Sequence, residues 1–340
     1  MFTYAKQKQV VYLLVYVHGI IITGSSSSLV SALVTRLDSV FSLKQLGLLE
    51  YFLGIEGKHL PNNSLLLTQS KYIQDLLAKT HMLECNSINT HMVSSCKLSK
   101  IGSDTFSDPS LYRSVVGSLQ YATITRPEIA YSVNKVCQFM SNPLESHWVA
   151  VKRILRYLKG TLTFGLQLHP APIHKPLSLH VFCDADWAAD PDDRRSTSGA
   201  AIFFGPNLIS WWSKKQPVVA RSSTKAGYRA LAQATTDALW VQTLLQELNV
   251  PFSNPTVYCD NQSAVLLAHN PILHTRTKHM KIDLFFIREK ILAKQLSIVH
   301  ILGTDQWADI LTKPVSTSKF LLMRSKLNVI SHPIEFEGGV

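Results

Sequence analysis

The chain has 340 residues, enough for two domains or three small ones, each with a core of its own. Hydrophobic residues make up 46% and Gly and Pro number 15 each, which excludes a disordered or fibrous chain. Lys plus Arg number 34 against 23 Asp plus Glu; the net charge of +11 disfavours an acidic mimic and suits a polyanionic partner or an anionic surface.

Five cysteines without a CxxC spacing argue against a disulfide framework or a structural zinc site and fit a reducing compartment. No leader of basic, apolar and then small residues opens the chain, so a cytoplasmic or nuclear protein is expected rather than a secreted one. The longest apolar run, 10–22, is broken by His18-Gly19 and is too short for a membrane-spanning helix, so no membrane association is expected.

In chain order, 10–17 and 20–24 predict two strands about the His18-Gly19 turn. They barely alternate, so the hairpin is expected to be buried on both faces. Ser25 to Ser28 offer N-caps for a helix over 29–41, strands follow within 48–67, and a short helix covers 70–78. From 80 to 108 the composition turns polar, as in a linker or long loop. Helices are predicted over 109–123, 129–139 and 147–158. The last has Val151, Leu155 and Leu158 on one stripe and Gly160 as its C-cap. Residues 170–176, with three prolines, mark a domain boundary. Beyond it come strands over 178–183, 199–204 and 208–213, a long helix over 222–248, and a strand over 256–259. A short helix from Asn261, a basic helix over 278–294, a strand over 296–302 and a helix over 305–311 complete the order. Three strands followed by alternating helix and strand imply a mixed sheet flanked by helices.

Asp184 closes the first of these strands, Asp260 the fourth, and Asp309 sits in the last helix. Acids at adjacent strand ends, with another on a helix packed across them, can converge on a pair of divalent cations of the kind that serve phosphodiester hydrolysis. Hard oxygen donors suit Mg2+ or Mn2+. Strand-end aspartates are also common turn formers, and Asp186, Asp190, Asp192 and Asp193 crowd the same loop.

The segment Val181-Phe182-Cys183-Asp184-Ala185-Asp186-Trp187-Ala188 resembles the first catalytic motif of the ribonuclease H domain in Ty1/copia-type retrotransposon polyproteins. The same resemblance covers Arg195 to Gly199, Ile209 to Gln216, Ser222-Ser223-Thr224-Lys225-Ala226-Gly227-Tyr228, Tyr258-Cys259-Asp260-Asn261, Thr277 to Asp283 and Ala308-Asp309-Ile310-Leu311-Thr312-Lys313-Pro314. Upstream, Tyr51 to Glu56, Tyr112 to Gly117, Thr125 to Ala130 and Lys152 to Thr161 resemble the reverse transcriptase part of that polyprotein. The resemblance runs from about Tyr12 to Leu327.

It implies a truncated palm and thumb remnant over 1–78, a polar linker and helical connection region over 79–169, a ribonuclease H-like α/β domain over 177–315, and a C-terminal tail over 316–340. Asp184, Asp260 and Asp309 would then hold Mg2+ or Mn2+ in a two-ion site, and an RNA–DNA hybrid or another nucleic acid would be the partner. Nothing in the sequence sets an oligomeric state.

Two departures from the family pattern stand out. The polymerase turn of the family carries two adjacent aspartates where this chain has His18 and Gly19, and a third acid would come from a strand upstream of Met1. A His beside a Gly cannot replace two hard carboxylates in phosphoryl transfer, so polymerase activity is expected to be absent. The glutamate of the ribonuclease H set falls at Gly227, and neither Ser223, Ala230 nor Leu231 can stand in for it. Ribonuclease H activity is therefore expected to be absent or severely reduced. The alternatives are a non-catalytic nucleic-acid-binding remnant and a non-functional pseudogene product.

Lys214, Lys215 and Arg221 near the rim of this site, with Arg276, Lys278 and Lys281 on the basic helix, are the expected nucleic-acid contacts. That helix would bury Leu284, Phe285, Ile287 and Ile291. A solvated helix face is the plainer reading of its charges. Lys152, Arg153 and Arg156 could touch the duplex or face water. Trp187 is expected in the core, one of Trp211 and Trp212 is expected to point outward, and His300 reads as strand-terminal.

Overall fold

A computed structural model of the chain describes residues 1–6, 9–17, 19–41, 47–171, 176–270 and 281–332. Two units, Met1–Gly57 and Lys58–Val340, are described separately.

In the first unit β1 (Phe2–Lys6), β2 (Gln9–Tyr16) and β3 (Gly19–Gly24) form an antiparallel sheet in that order. Tyr16 pairs with Gly19, so the expected hairpin is present, while His18 lies outside the described residues. The expected burial on both faces is not observed. Val11 is buried, but Val15, Tyr16 and Val17 are exposed. The physical reason is cover: α1 (Ser27–Phe41) buries none of its residues and cannot shield two apolar faces. A short hairpin, β4 (Tyr51–Phe52) with β5 (Ile55–His59), turns through Leu53 and Gly54, both at positive φ.

The second unit begins with β6 (Leu65–Thr68) and α2 (Ser70–Lys79), then runs from 80 to 108 without helix or named strand. That polar stretch is not merely a connector, because Met82, Met92, Leu98 and Phe106 are buried in the core. The helices α3 (Pro109–Ala122), α4 (Ala130–Cys137) and α5 (Glu145–Lys159) follow. On α3, Pro109 occupies the first turn, where its missing N–H costs nothing, and Asp108 Oδ1 accepts from Leu111 N at 2.8 Å. Val151, Leu155 and Leu158 are fully buried, as the stripe predicts, and Gly160 is the C-cap. Arg153 and Arg156 are tied to the 80–108 stretch through Thr90 Oγ1 and the Asn86 carbonyl.

Then come β7 (Phe164–Leu168), β8 (Leu177–Asp186), β9 (Thr197–Phe204), β10 (Asn207–Lys215), α6 (Ser223–Glu247) and β11 (Phe252–Cys259). The chain continues through α7 (Gln262–His269), α8 (Lys281–Leu292) and β12 (Ser297–His300) to a 3-10 helix over Trp307–Leu311. Residues expected as a tail form α9 (Thr317–Lys326) and β13 (Val329–Ser331), and β13 pairs with β7, which pairs with β6.

The principal sheet has the order β10-β9-β8-β11-β12, with antiparallel pairing from β10 to β8 and parallel pairing from β8 to β12. Both faces are covered. Leu179, Val181, Cys183, Ile202 and Val257 pack with α6, α7 and α8, while Phe182, Ala201, Phe203 and Leu208 belong to the core that holds α3, α4 and α5. Hence neither Trp211 nor Trp212 points into water: their indoles pack on opposite faces and donate to Thr123 O and Asp237 Oδ2. Phe285, expected in the buried stripe of α8, is exposed, whereas Leu284 and Ile287 are fully buried.

His91, in the 80–108 stretch, is buried against Phe320 of α9 and Tyr157 of α5, with ring centroids 4.8 and 5.9 Å away. Burial, together with Arg153 and Arg126, pushes its pKa down to about 3 from 6.5. The folded state therefore holds a neutral ring, and the unfolded chain gains a proton below 6.5. The stability that this group contributes is complete above 6.5 and is lost progressively as pH falls towards 3. Between about pH 7.5 and about pH 5 the native chain is expected to lose about 2 kcal/mol more unfolding free energy than His91→Phe. Urea titrations at the two pH values measure this, and equal losses in both proteins would contradict it.

Candidate metal centre

The parallel pairing of β8 with β11 puts Cys183 opposite Cys259, so the residues that follow, Asp184 and Asp260, emerge at one end of the sheet. The 3-10 helix lies against β8 and β9 and brings Asp309 to the same place. Carboxylate oxygens of the three aspartates lie within 4.8 Å of one another. Asp184 and Asp309 are buried and Asp260 is partly exposed.

Local sequence explains the close approach. Gly199 is the β9 partner of Asp184, and a Cβ there would stand 2.7 Å from Leu311 Cβ and 3.0 Å from the Leu311 carbonyl oxygen. Its missing side chain makes room for the 3-10 helix. Gln306 then fastens that helix, donating from Nε2 to Cys183 O at 3.0 Å and accepting from Ala308 N. Trp307 stacks on Phe182 with centroids 4.3 Å apart.

Three acids this close oppose each other's ionisation. Burial raises the Asp184 pKa to about 6; Lys313 works against that rise, and Asp260 and Asp309 add to it. Thr312 donates to Asp184 Oδ2 at 2.5 Å. The Lys313 ammonium lies 3.3 Å from Asp184 Oδ2 and 2.7 Å from Asp309 Oδ1, and Lys319 of α9 lies 2.5 Å from Asp309 Oδ2. Burial works to discharge Lys313, but Asp184 and Asp309 outweigh it and hold its pKa above the ordinary lysine value. Asp309 Oδ1 accepts no well-aligned hydrogen bond despite its burial. Three hard carboxylates converging in this way fit a divalent cation of the Mg2+ or Mn2+ type.

The remaining sequence-selected residues separate into distinct settings. Gly227 is buried in α6, and a Cβ there would meet Asn261 Cβ at 3.2 Å; Asn261 is the immediate neighbour of Asp260. Lys214 is exposed, with its ammonium 5.3 Å from the Trp212 ring, and Arg221 is exposed. Lys215 is engaged at 2.8 Å with both Asp190 and Asp193. Arg276 and Lys278 lie outside the described residues, and Lys281 opens α8. Trp187, expected in the core, is 48% exposed and donates to Ala220 O, because β8 has ended one residue earlier. His300 closes β12, its Nε2 3.1 Å from Asp260 O. Gly19 belongs to the first unit.

Sequence reading assigned no role to Lys319, Thr312, Lys313, Gly199 or Gln306. A glycine in mid-strand, beside a strand ending in aspartate, was the usable signal for Gly199. Lys319 carries none, since it stands ten residues beyond Asp309 in a stretch read as a tail.

Residues 1–94 match the reverse transcriptase (RNA-dependent DNA polymerase) family model. Over 334 residues, 98% of this chain, it is 45% identical to the retrovirus-related Pol polyprotein from transposon RE1 of Arabidopsis thaliana, and covers 22% of that protein. It is also 45% identical over 229 residues to an uncharacterized mitochondrial protein of Arabidopsis thaliana, covering 67% of this chain and 93% of that one. The chain belongs to the retrotransposon Pol polyprotein family. Residues 1–94 are its reverse transcriptase-like region, and the chain spans less than a quarter of the RE1 polyprotein. Among solved structures, LC11-RNase H1 in complex with an RNA/DNA hybrid aligns over 39% of this chain and 93% of that one, at 18% identity and a TM-score of 0.31.

A side chain at Gly199 is expected to push the 3-10 helix off the sheet. Gly199→Ala should lower unfolding free energy by about 1–3 kcal/mol in chemical denaturation. An unchanged midpoint would show that Gly199 does not set this approach.

Proposed function

We propose that the chain derives from a Ty1/copia-type reverse transcriptase and ribonuclease H, that it engages RNA–DNA hybrids, and that its hydrolytic centre is one acid short. The observation carrying this reading is the convergence of Asp184, Asp260 and Asp309, with Gly227 set against the neighbour of Asp260 where the family has a glutamate. Asp184, Asp260 and Asp309 would together hold the divalent cations. Bound there, Mg2+ or Mn2+ supplies Lewis-acid stabilisation and a nucleophilic water for phosphodiester hydrolysis.

The chain's own groups orient that chemistry. Thr312 and Lys313 fix the Asp184 carboxylate, and Gln306 fixes the 3-10 helix that carries Asp309. Without a fourth carboxylate, the attacking water loses a positioning group. Losing one transition-state interaction costs several kcal/mol, and about 1.4 kcal/mol is already tenfold in rate. Ribonuclease H activity is accordingly absent or severely reduced. Polymerase activity is absent in this reading, because His18 and Gly19 stand in place of the family's paired aspartates.

Residues 1–78 correspond to a palm and thumb remnant, 79–169 to a linker and connection region, 177–315 to the ribonuclease H-like domain and 316–340 to the segment after it. Exposed Lys214 and Arg221 supply phosphate contacts, which favours hybrid binding without cleavage as the second reading; Arg276, Lys278 and Lys281 belong to the same proposed set. Among the described residues no helix is long and apolar enough to cross a membrane.

A labelled RNA–DNA hybrid incubated with the full chain in Mg2+ and then Mn2+ tests the reading. The native chain is expected to cleave little or not at all, Gly227→Glu to cleave at least about tenfold faster, and Asp184→Asn in the Gly227→Glu background to abolish the gain. Native cleavage equal to that of Gly227→Glu, and lost in Asp184→Asn, would overturn the proposed loss of activity.

A further inference from the structure

Asp309 has both carboxylate oxygens ion-paired, Oδ1 with Lys313 and Oδ2 with Lys319. It cannot turn either oxygen fully to a divalent cation while both ammoniums stay in place. Lys313 also reaches Asp184 Oδ2, so two positive heads sit among three negative ones. An ammonium is a compact, strongly hydrated point charge on a flexible stem, suited to occupy and to leave such a place.

The two lysines reach the centre from different elements. Lys313 follows the 3-10 helix, four residues beyond Asp309. Lys319 stands on α9, whose Phe320 and Met323 are buried in the core and whose first turn is capped by Ser316. The helix therefore anchors the Lys319 backbone beside the carboxylates, with the ammonium at the end of a flexible stem. Its ammonium makes one further contact, to the Gly303 carbonyl at 3.4 Å. Both lysine side chains are 35% exposed, so each has a route into water.

Resting on the metal-centre reading above, we infer that Lys313 and Lys319 are built-in counter-cations that stabilise the metal-free carboxylate cluster and compete with divalent cations for it, with Lys319 as an autoinhibitory contact from α9. Binding of a divalent cation then exchanges an internal cation for an external one. Removing Lys319 frees an Asp309 oxygen, lowers positive charge beside the incoming ion and tightens binding. It also leaves the cluster less well neutralised when no metal is present.

The test uses the full chain and Mn2+ alone, with free Mn2+ followed by its paramagnetic resonance signal and thermal melts run in chelator and in Mn2+. Lys319→Gln is expected to bind Mn2+ at least about tenfold more tightly than native, to melt lower in chelator and to recover in Mn2+. Lys319→Arg should keep the weaker native affinity, and Asp184→Asn should remove tight binding from the Lys319→Gln protein. Should Lys319→Gln unfold without metal, Lys319→Met keeps the aliphatic stem and serves the same comparison. Native and Lys319→Gln proteins binding Mn2+ equally, or the variant binding more weakly, would overturn the competition while leaving the metal centre standing. No binding by any of these proteins would overturn the metal centre, and the inference with it.

Discussion

Three carboxylates held within 4.8 Å of one another in a largely buried place repel each other, and much of the surrounding architecture serves to hold them there. The parallel register of β8 and β11 delivers two of them side by side. Gly199 and Gln306 deliver the third by seating the 3-10 helix on the sheet. Lys313 and Lys319 supply the opposing charge. A site of this kind stores electrostatic cost for later use, as functional sites often do, and here the cost is offset by side chains of the same chain.

A second buried charge network lies on the face of the sheet that also carries the 3-10 helix. Arg126 and Glu128 form a fully buried ion pair at 2.7 Å, and Arg126 also donates to Thr161 O and Oγ1 while Tyr157 donates to Glu128. Such a pair adds little net stability over a hydrophobic replacement, but removing one partner strands a charge, so it fixes one arrangement of the helices. Asp190 makes the link to the sheet: burial opposes its ionisation, yet Lys215 and Lys135 outweigh that and hold its pKa well below the usual carboxylate range. Lys135 belongs to α4 and Lys215 closes β10, so the helical region and the sheet share one buried charge. This also explains why Lys215 is less available for nucleic acid than Lys214.

The parts of this design that were legible in the sequence are those with local causes. Strand ends, helix caps and apolar stripes placed most elements of the second unit within a few residues, and aspartates at strand ends placed the carboxylates. What escaped depends on long-range packing. Lys319 meets Asp309 because α9, with Phe320 and Met323 buried in the core, packs against the 3-10 helix. The 80–108 stretch looked like a linker because its apolar residues are scattered, yet Met82, Met92 and Phe106 each find a core. Trp187 is exposed because it falls just beyond a strand, where alternation no longer decides which way it points. Both indoles of Trp211-Trp212 are sheltered because the sheet is covered on two faces, which no single strand can reveal.

The central claim is that Asp184, Asp260 and Asp309 form a divalent cation site. Anomalous scattering from crystals of the full chain equilibrated with Mn2+ tests it most directly. The account predicts density peaks about 2.0–2.4 Å from carboxylate oxygens of these three residues, with the Lys319 ammonium drawn away from Asp309. Peaks confined to other places, or none among these carboxylates at saturating Mn2+, would contradict it.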